Sequence, residues 1–374
     1  MTINTDATFI LNKIFSIGHT GKFTLATASQ AGGFIAITGS GSIRWIVPGT
    51  EKFGRKVLSQ WKPYGMTSLA KWHVLRLLYR LGVLIKVPGI SEVFMTMPSK
   101  KYKKNETLVV PVIYVGTPGA QQKAVITLIE INSGNPVAVM KVALADGAIA
   151  SIITEASMLK RLLSKGVDDV PRLIGINQEN GVSLQTVVSG KLANGNMDIA
   201  MLNSLLGMFK TEITTTLDEQ KIKLDPFVTN RIHDFNSRQQ ELIKRALSLL
   251  GGSDSIPMPL VHGDFAPWNI KQISRDKCAL IDWEDGEECG LPMWDICHFN
   301  FIQACLFNKP DLIENLLTNK IVKSYMAKLH ISKVSAIQLV LLYILFIVVT
   351  DKKNNASAEY KAFLINQIPM VLAL

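Results

Sequence analysis

The chain has 374 residues and a formal net charge of +10, and 48% of its residues are hydrophobic and 19% charged. This length exceeds that of one ordinary domain and predicts two or three folded parts with sizeable cores. The hydrophobic content excludes a largely disordered protein. The four cysteines are spaced singly, without a Cys-x-x-Cys pair, which argues against a zinc site and favours free thiols.

The sequence shows no sign of export or membrane insertion. Its first twelve residues include Asp6 and lack the basic start and long apolar core of a signal peptide. The longest apolar run, residues 334–349, contains Ser335 and Gln338 and is shorter than the roughly 20 residues that cross a bilayer. We interpret this run as a buried helix and predict a cytoplasmic protein.

The positive charge is concentrated in one region. Residues 44–104 contain thirteen Lys and Arg against two Glu, a local balance of +11. Within this region, residues 67–86 predict a helix whose apolar side comprises Leu69, Trp72, Leu75, Leu78 and Tyr79. Such a helix rests on an anionic membrane, binds an anionic ligand, or packs with a solvated charged face; packing is favoured and the other two stay open. Nucleic-acid binding is not expected, because the basic residues are not interleaved with a recognisable binding module.

The predicted elements follow in chain order. Residues 1–43 predict short strands and turns, and the charged segment 100–105 makes a junction. Predicted strands are 108–115, 124–131, 136–143, 171–176 and 182–188. Predicted helices of the last part are 199–216, 227–250, 294–307, 311–329 and 334–349.

The third of these strands carries Lys141 in an otherwise apolar run. Burying an ammonium group is costly unless it is paired, so this lysine needs an anion. Glu155, which opens the helical stretch after the strand, is a suitable partner. The alternative is a lysine at the sheet edge whose stem covers apolar surface and whose charge reaches solvent.

Polar residues follow two apolar runs that a short hairpin joins. The first run leads into His262-Gly263-Asp264, with Asn269 five residues after the aspartate, and the second run ends at Asp282, 18 residues after Asp264. We expect the two polar ends to emerge beside each other. A carboxylate for a hydroxyl proton, with an amide oxygen and a second carboxylate for Mg²⁺ on a triphosphate, is the set that phosphoryl transfer needs.

At these residues the sequence resembles the aminoglycoside phosphotransferase and choline kinase family, relatives of the protein kinases. The matching pattern is His-Gly-Asp-x-x-x-x-Asn at 262–269, Ile-Asp-Trp-Glu at 281–284, and Pro292-x-x-Asp295. Each motif alone is common by chance, whereas all three in order form a strong joint signal. The resemblance covers about residues 107–350 and implies an α+β, bilobal protein kinase-like fold with a small β-rich N-lobe and a larger helical C-lobe.

The resemblance implies that the chain has three parts, and it implies catalytic, metal-binding and phosphate-binding roles for individual residues. The expected parts are a basic N-terminal region 1–105 of unknown role, an N-lobe 106–190 and a helical C-lobe 191–374. By resemblance, Asp264 is the catalytic base, and Asn269 and Asp282 bind Mg²⁺. Lys141, oriented by Glu155, holds the α- and β-phosphates of ATP.

The remaining roles concern the nucleotide base and the loop. The backbone of Gln185 to Val188 is expected to meet adenine. Asp295 is expected to brace the catalytic loop by accepting hydrogen bonds, and His262 to organise that loop with its ring directed into the lobe. His298 is interpreted as a core or helix-surface histidine.

The resemblance implies an ATP- and Mg²⁺-dependent phosphotransferase that acts on a hydroxyl of a small molecule, such as a sugar, an aminoglycoside or an amino alcohol. Gly263 and Ala266 replace the arginine and lysine of protein kinases, which disfavours a protein acceptor. The acidic cluster of Glu284, Asp285, Glu287 and Glu288 suits a cationic acceptor, whereas the basic region suits an anionic one or a peripheral membrane contact. The alternative is an inactive nucleotide-binding scaffold, a pseudokinase, whose basic region binds a partner or membrane.

Overall fold

The computed structural model describes residues 3–17, 23–39, 41–60, 63, 66–84, 90–93, 106–350 and 356–374. The junction predicted at 100–105 lies outside the described residues. The chain divides into two compact units, of which the first comprises Met1–Leu163 and Val170–Ser189 and the second Ser164–Asp169 and Gly190–Leu374. We call them the β-rich unit and the helical unit.

Among the described residues, the β-rich unit contains nine strands and five α-helices. They are α1 (Ile3–Ile17), β1 (Phe23–Leu25), α2 (Ala28–Ala31), β2 (Phe34–Gly39), β3 (Ser42–Pro48), α3 (Glu51–Gln60), α4 (Met66–Arg80), β4 (Ile90–Val93), β5 (Thr107–Val115), β6 (Lys123–Glu130), β7 (Pro136–Ala143), α5 (Gly147–Ser164), β8 (Leu173–Asn177) and β9 (Val182–Gln185). The five strands predicted after residue 107 are confirmed as β5 to β9, with β9 shorter than predicted.

Nine strands of the described residues form one sheet in this unit. Their order is β4-β2-β3-β5-β6-β7-β9-β8, and β1 pairs with the start of β5. The β1–β5 pair is parallel, and all the other pairs are antiparallel. The strands from the first hundred residues are therefore hydrogen-bonded into the same sheet as β5 to β9. One hydrophobic core joins the two sets, with Ile46 and Val47 buried alongside Val109 and Ile126.

The prediction of strands and turns over residues 1–43 is confirmed at β1 and β2 and is wrong at the start, where the chain forms helix α1. Ala7, Leu11 and Ile14 are fully buried at spacings of four and three, so one apolar stripe of the helix faces the core. That periodicity is present in the sequence, but the Gly- and Ser-rich pieces that follow it dominate the composition of the region.

Helix α4 confirms the helix predicted over 67–86, and it ends earlier. Trp72 and Tyr79 on its apolar side are buried, and Tyr79 donates a hydrogen bond of 2.6 Å from its hydroxyl to the carbonyl of Pro48. Gly82 follows the helix in the left-handed conformation with φ 69°. A glycine in this conformation is a common end of a helix because it has no Cβ to clash.

Among the described residues, the helical unit has eight α-helices and two small sheets, one of three strands (β10-β13-β14) and one of two (β11-β12). Its elements are β10 (Lys191–Leu192), α6 (Ile199–Gly207), β11 (Thr214–Thr215), α7 (Leu217–Arg231), α8 (Ser237–Ser248), β12 (Ile256–Pro257), β13 (Ile270–Gln272), β14 (Cys278–Leu280), α9 (Trp294–Phe307), α10 (Asp311–Glu314), α11 (Lys320–Lys328), α12 (Lys333–Val349) and α13 (Ala358–Val371). The helices predicted at 294–307 and 334–349 are confirmed as α9 and α12, and the α+β class with a helical last part is confirmed as well.

Three predicted helices are wrong as continuous elements. The helix predicted at 199–216 ends after Gly207, because the threonines that follow pair as β11 with β12 and Thr216 then caps α7. The helix predicted at 227–250 is interrupted where Asn236 caps α8 through a capping box. The one predicted at 311–329 breaks into α10 and α11, and Asn319 caps the second.

Helix α12 is the central helix of this unit. Its residues from Leu339 to Val349 are all buried, and it packs against α7, α8, α9 and α13. The interpretation of this apolar run as a buried helix is therefore confirmed. No single helix of the described residues has the length and hydropathy to cross a bilayer; α11 and α12 have them only when taken together, and their axes bend by 106° at the break.

Candidate active site

Strands β13 and β14 place two candidate residues beside each other. The strands are antiparallel, with Ile270 opposite Leu280, and the amide of Ile281 donates to the carbonyl of Asn269 at 2.9 Å. Asn269 and Asp282 therefore leave the same end of the hairpin, as the sequence predicts. Asp282 has φ 67°, a backbone conformation that only a few per cent of residues other than glycine adopt and that often occurs at functional sites.

Asp295 braces the loop that carries Asp264. It lies in the first turn of α9 and is buried, and its carboxylate accepts hydrogen bonds from the amides of His262 at 2.8 Å and Gly263 at 3.0 Å. The two hydrogen bonds that the sequence expects of this residue are present. A buried carboxylate without such partners would be strongly destabilising, so the loop and the helix stabilise each other.

The ring of His262 is completely buried, and both of its nitrogens have hydrogen-bond partners. Its Nε2 lies 2.9 Å from the carbonyl oxygen of Ile281, and its Nδ1 accepts the amide of Asp264 at 3.3 Å. The ring also packs on Trp283, with 4.5 Å between ring centroids. This pattern assigns the proton to Nε2 and agrees with a loop organiser whose ring points into the lobe.

Gly263 occupies a position that no other residue fits without strain. Its φ is 80°, and a Cβ added there would lie 2.2 Å from the carbonyl oxygen of Asp285. The arginine that protein kinases carry at this place is therefore sterically incompatible with the loop conformation of this chain.

Asp264 is held on both carboxylate oxygens. Asn269 donates from Nδ2 to Oδ2 at 2.8 Å and to the backbone carbonyl of Asp264 at 2.9 Å. His298 lies 2.7 Å from Oδ1 through its Nε2. The side chain of Asp264 is nevertheless 30% exposed, so a ligand hydroxyl can reach it.

His298 is the functional candidate that sequence reasoning does not find. It is buried in α9, as a core histidine is expected to be, but it contacts Asp264 on one side and the hydroxyl of Tyr343 on the other, at 3.0 Å. Tyr343 in turn lies 2.8 Å from the hydroxyl of Tyr360. These partners are 34 and 45 residues away from the histidine, and no local pattern marks such contacts.

Lys141 and Glu155 form the ion pair that the sequence expects. Both are buried, and the lysine Nζ lies 2.7 Å from each carboxylate oxygen. The alternative of a lysine reaching solvent at the sheet edge is excluded by this burial. On the adjacent strand β9, Ser183 lies opposite Lys141, so its side chain projects from the same face of the sheet.

Gln185 ends β9 and is buried, and its side-chain Nε2 has no hydrogen-bond partner. Val188 follows it, and within the described residues neither Val187 nor Val188 makes a backbone–backbone hydrogen bond. Unpaired backbone groups at the end of a strand are available to a ligand. Of the residues expected to meet the nucleotide base, Val187 and Val188 lack backbone–backbone hydrogen bonds and Gln185 has an unpaired side-chain amide, whereas the amide of Thr186 donates to Arg172.

The acidic cluster after Asp282 is half-buried. Glu288 pairs with Lys165 at 3.6 Å, and Glu287 is hydrogen-bonded through its backbone to Val261. Among the described residues, no group of three or more His, Cys, Asp or Glu side chains is arranged to hold a metal ion.

The candidate residues fall into two groups, one in each unit. Asp264, Asn269 and Asp282 lie together in the helical unit, where the hydrogen bonds of one loop and one hairpin fix them. Lys141 and Glu155 lie in the β-rich unit, with Gln185 and Val188.

No protein-family model and no curated protein matches the sequence. Solved structures do match it. Macrolide 2'-phosphotransferase MphH from Brachybacterium faecium has 11% identity and a TM-score of 0.45, covering 68% of this chain and 91% of its own. Choline kinase LicA from Streptococcus pneumoniae has 15% identity and a TM-score of 0.42, covering 71% and 94%. The GDP and kanamycin complex of APH(2")-IIIa has 13% identity and a TM-score of 0.45, covering 70% and 93%.

These neighbours are small-molecule phosphotransferases. They are the kind of protein that the motifs of the sequence resemble. At such identities and scores the likeness assigns no role to any residue.

Proposed function

We propose that this protein is an ATP- and Mg²⁺-dependent phosphotransferase that phosphorylates a hydroxyl group of a small molecule. The observation that carries the proposal is the carboxylate of Asp264, which is fixed on both oxygens by Asn269 and His298 while 30% of its side chain stays exposed. A fixed and accessible carboxylate is what a general base needs, because geometry decides before pKa does.

In the proposed reaction, Asp264 accepts the proton of the acceptor hydroxyl. The hydroxyl oxygen forms its bond to the γ-phosphorus as the bond from that phosphorus to the bridging oxygen breaks and ADP leaves. The hydrogen bond from Asn269 keeps one oxygen of Asp264 in place during this transfer. Positioning and charge stabilisation, more than covalent chemistry, supply the rate enhancement in such reactions.

The donor groups of the helical unit fit Mg²⁺. Because Nδ2 of Asn269 is used by Asp264, its Oδ1 is left as an acceptor, and Asp282 follows the paired strand at the same end of the hairpin. Mg²⁺ prefers such oxygen ligands, needs only one or two from the protein beside phosphate oxygens, and would neutralise charge on the phosphates when bound.

The β-rich unit supplies the proposed contacts to the nucleotide. Lys141 would hold the α- and β-phosphates, and its pairing with Glu155 keeps the ammonium oriented and charged although it is buried. The free backbone groups near Val188 and the unpaired amide of Gln185 would bind the adenine.

The boundaries of the three parts and the cytoplasmic location stay predictions.

A sugar, an aminoglycoside or an amino alcohol is the proposed acceptor. The half-buried acidic cluster next to Asp282 favours a cationic acceptor over an anionic one, although Glu288 is engaged by Lys165. Electrostatic complementarity of this kind guides an acceptor into its site and disfavours acceptors of the same charge.

Release of ADP with panels of these three acceptor types tests the proposal. Asp264→Ala is expected to abolish acceptor-dependent release and to leave nucleotide affinity near that of the wild type, because the residue contacts the acceptor and not the nucleotide. Asp254→Ala, which removes an exposed aspartate of the same unit, is the matched control and keeps full turnover. Turnover retained in Asp264→Ala contradicts the assignment of the base.

One observation favours a second role, the attachment of the basic region to an anionic membrane surface. Helix α4 packs through Trp72 and Tyr79, but Val74, Leu77 and Leu81 on another side are 56%, 56% and 62% exposed. Their spacing of three and four makes one stripe, and Lys71, His73 and Arg80 are exposed beside it. An exposed apolar stripe with basic neighbours is typical of helices that lie on anionic lipid.

Co-sedimentation with vesicles tests this second role. The wild type is expected to bind phosphatidylserine-containing vesicles and not pure phosphatidylcholine, and Leu77→Asp to lose that binding. Ile222→Asp, which changes an isolated apolar residue of α7 that is 68% exposed, is the control and binds as the wild type does. Equal binding of Leu77→Asp and the wild type would eliminate the stripe as a lipid contact.

A further inference from the structure

Four buried or half-buried polar groups of the helical unit form one continuous chain. Starting at the carboxylate of Asp264, the successive distances are 2.7 Å to His298 Nε2, 3.0 Å from His298 Nδ1 to the hydroxyl of Tyr343, and 2.8 Å from there to the hydroxyl of Tyr360. This series of hydrogen-bonded groups begins at the partly exposed carboxylate of Asp264 and continues through His298 of α9 and Tyr343 of α12 to Tyr360 of α13. His298 and the two tyrosines are each less than a tenth exposed.

When the imidazole of His298 is neutral, elementary hydrogen-bond rules give this series of four groups one direction. An ionised carboxylate only accepts, so the proton of the neutral imidazole must be on Nε2. Nδ1 is then an acceptor, and the hydroxyl of Tyr343 must donate to it. That leaves the oxygen of Tyr343 to accept the hydroxyl proton of Tyr360, so every donor points toward Asp264.

The tyrosines are suited to stay donors. Burial raises the pKa of Tyr343 well above its ordinary value, with the neighbouring Tyr360 contributing, and burial also raises the pKa of Tyr360. Both hydroxyls therefore keep their protons throughout the ordinary pH range. Aromatic packing fixes the rings, because Tyr343 contacts Trp294 at 5.1 Å and Phe301 at 5.6 Å between ring centroids.

We propose that His298, held by Tyr343 and Tyr360 with its proton on Nε2, is the positioning residue that fixes the Asp264 carboxylate toward the acceptor. Nothing in the phosphotransferase motifs requires this residue, and its partners come from helices far along the chain. The proposal rests on the proposed function for its kinetic consequence, whereas the hydrogen-bond chain itself exists without turnover.

Two partners restrain the carboxylate of Asp264, one on each oxygen. Asn269, which is proposed to hold the metal, restrains Oδ2, and His298 restrains Oδ1. Removing His298 leaves the first restraint and the metal site in place, but lets the carboxylate rotate. A displacement of about 1 Å at a reacting group costs about 100-fold in rate.

Steady-state kinetics of three variants measure this consequence. His298→Leu is expected to lower kcat by about 100-fold with little change in the KM for Mg·ATP. His298→Gln is expected to recover most of that loss, because its amide nitrogen can take the place of Nε2 as the donor. Tyr343→Phe is expected to lower kcat by about 2- to 10-fold, the effect of one net hydrogen bond.

Tyr325→Phe is the matched control, since Tyr325 is another buried tyrosine of the helical unit that lies outside the chain of four groups. It is expected to keep the wild-type kcat. Thermal midpoints of all variants are measured in parallel, so that rates are compared only at temperatures where each variant is folded. An equal loss of kcat in His298→Gln and His298→Leu, or an unchanged kcat in His298→Leu, overturns the positioning role.

Side-chain ¹⁵N spectra of the histidines keep the test independent of turnover. The signal assigned to His298 by its absence in His298→Gln is expected to show a neutral ring protonated on Nε2, with Nδ1 shifted in Tyr343→Phe and Nε2–H shifted in Asp264→Asn. A ring protonated on Nδ1, or shifts in neither variant, overturns the inference. Absence of turnover in the wild type contradicts the proposed function and not this inference. In that case the spectra alone test the hydrogen bonds from His298 to Asp264 and Tyr343.

Discussion

At the scale of single residues, the loop conformation depends on a glycine. Gly263→Ala places a Cβ 2.2 Å from the carbonyl oxygen of Asp285 at a φ of 80°. We expect this variant to lose about 1–3 kcal/mol of stability and most of the activity, since the backbone must shift to accommodate the methyl group. Chemical denaturation monitored by tryptophan fluorescence measures the loss.

Gly207→Ala is the control for this prediction. Gly207 ends α6, has nothing within 4 Å of an added Cβ, and lies outside the left-handed region. Alanine is expected to be neutral there or to stabilise by up to about 1 kcal/mol, as it does in helices generally. Equal free energies of unfolding for the two variants would contradict the steric account of Gly263.

Asp295 gives a second prediction at this scale. Asp295→Asn leaves one oxygen for two amide donors and turns an NH₂ group toward the other amide. The free energy of unfolding is expected to fall by about 1–3 kcal/mol, the cost of an unsatisfied buried donor. Asp254→Asn, at an exposed position, is expected to stay within about 0.5 kcal/mol of the wild type, and an Asp295→Asn variant as stable as that control would refute the brace.

Single residues were predictable where local pattern and chemistry agree. A lysine inside an apolar strand had to be paired, and Glu155 is its partner. The motif spacing predicted that Asn269 and Asp282 meet at one hairpin end. His298 carried no such signal, because a histidine on a buried helix looks the same whether it contacts a carboxylate or only apolar side chains.

At the scale of elements, alternating or helical periodicity identified β5 to β9, α4, α9 and α12. Two of the wrong helices, 227–250 and 311–329, share one physical cause, which is that helix ends depend on single capping groups. Asn236 and Asn319 each stop a run that the apolar pattern alone would continue. Pairing between distant strands, such as β3 with β5, is likewise invisible in one sequence because it is set by the tertiary fold.

The sheet predicts the effect of removing residues 1–105. A chain that begins at Glu106 loses β1 and β3, which leaves one edge of β5 with unpaired backbone groups and exposes Val110 and Ile113 of the core. Exposed apolar edges of this kind aggregate. We therefore expect the truncated protein to be insoluble or to lack a cooperative thermal transition, and a folded, monomeric truncation product would show that the first hundred residues form a separate part.

The helices α11, α12 and α13 predict a response to alkaline pH. Burial raises the pKa values of Tyr325, Tyr343 and Tyr360 above that of an exposed tyrosine. The unfolded chain then releases these protons first, so their contribution to stability is complete below about pH 10 and is lost as pH rises above it.

Tyrosinate absorbance at 295 nm and circular dichroism measure this response together. The absorbance of the buried tyrosines is expected to appear only with loss of the helical signal, in one step above about pH 10. Replacing all three by phenylalanine is expected to shift that step to higher pH. Tyrosine ionisation that is complete before any loss of helix would contradict the burial of these hydroxyls.

At the scale of the whole molecule, the protein has a net charge of +10 and folds as two compact units. The local excess of basic residues in 44–104 accounts for the net charge, whereas the acidic cluster of Glu284, Asp285, Glu287 and Glu288 directly follows Asp282 of the candidate site. The proposed general base, Asp264, and the proposed metal ligands lie in the helical unit, and the residues proposed to contact the phosphates and the adenine lie in the β-rich unit.

Thermal stability with and without the nucleotide tests whether this protein has an Mg·ATP site that uses Asp282. Ligands that bind the native state raise its apparent stability by mass action. We predict that Mg·ATP raises the midpoint of the wild type, that ATP with a chelator does so less, and that Asp282→Ala loses the magnesium-dependent part. An unchanged midpoint of the wild type at millimolar Mg·ATP, or an equal shift in Asp282→Ala, would contradict the account.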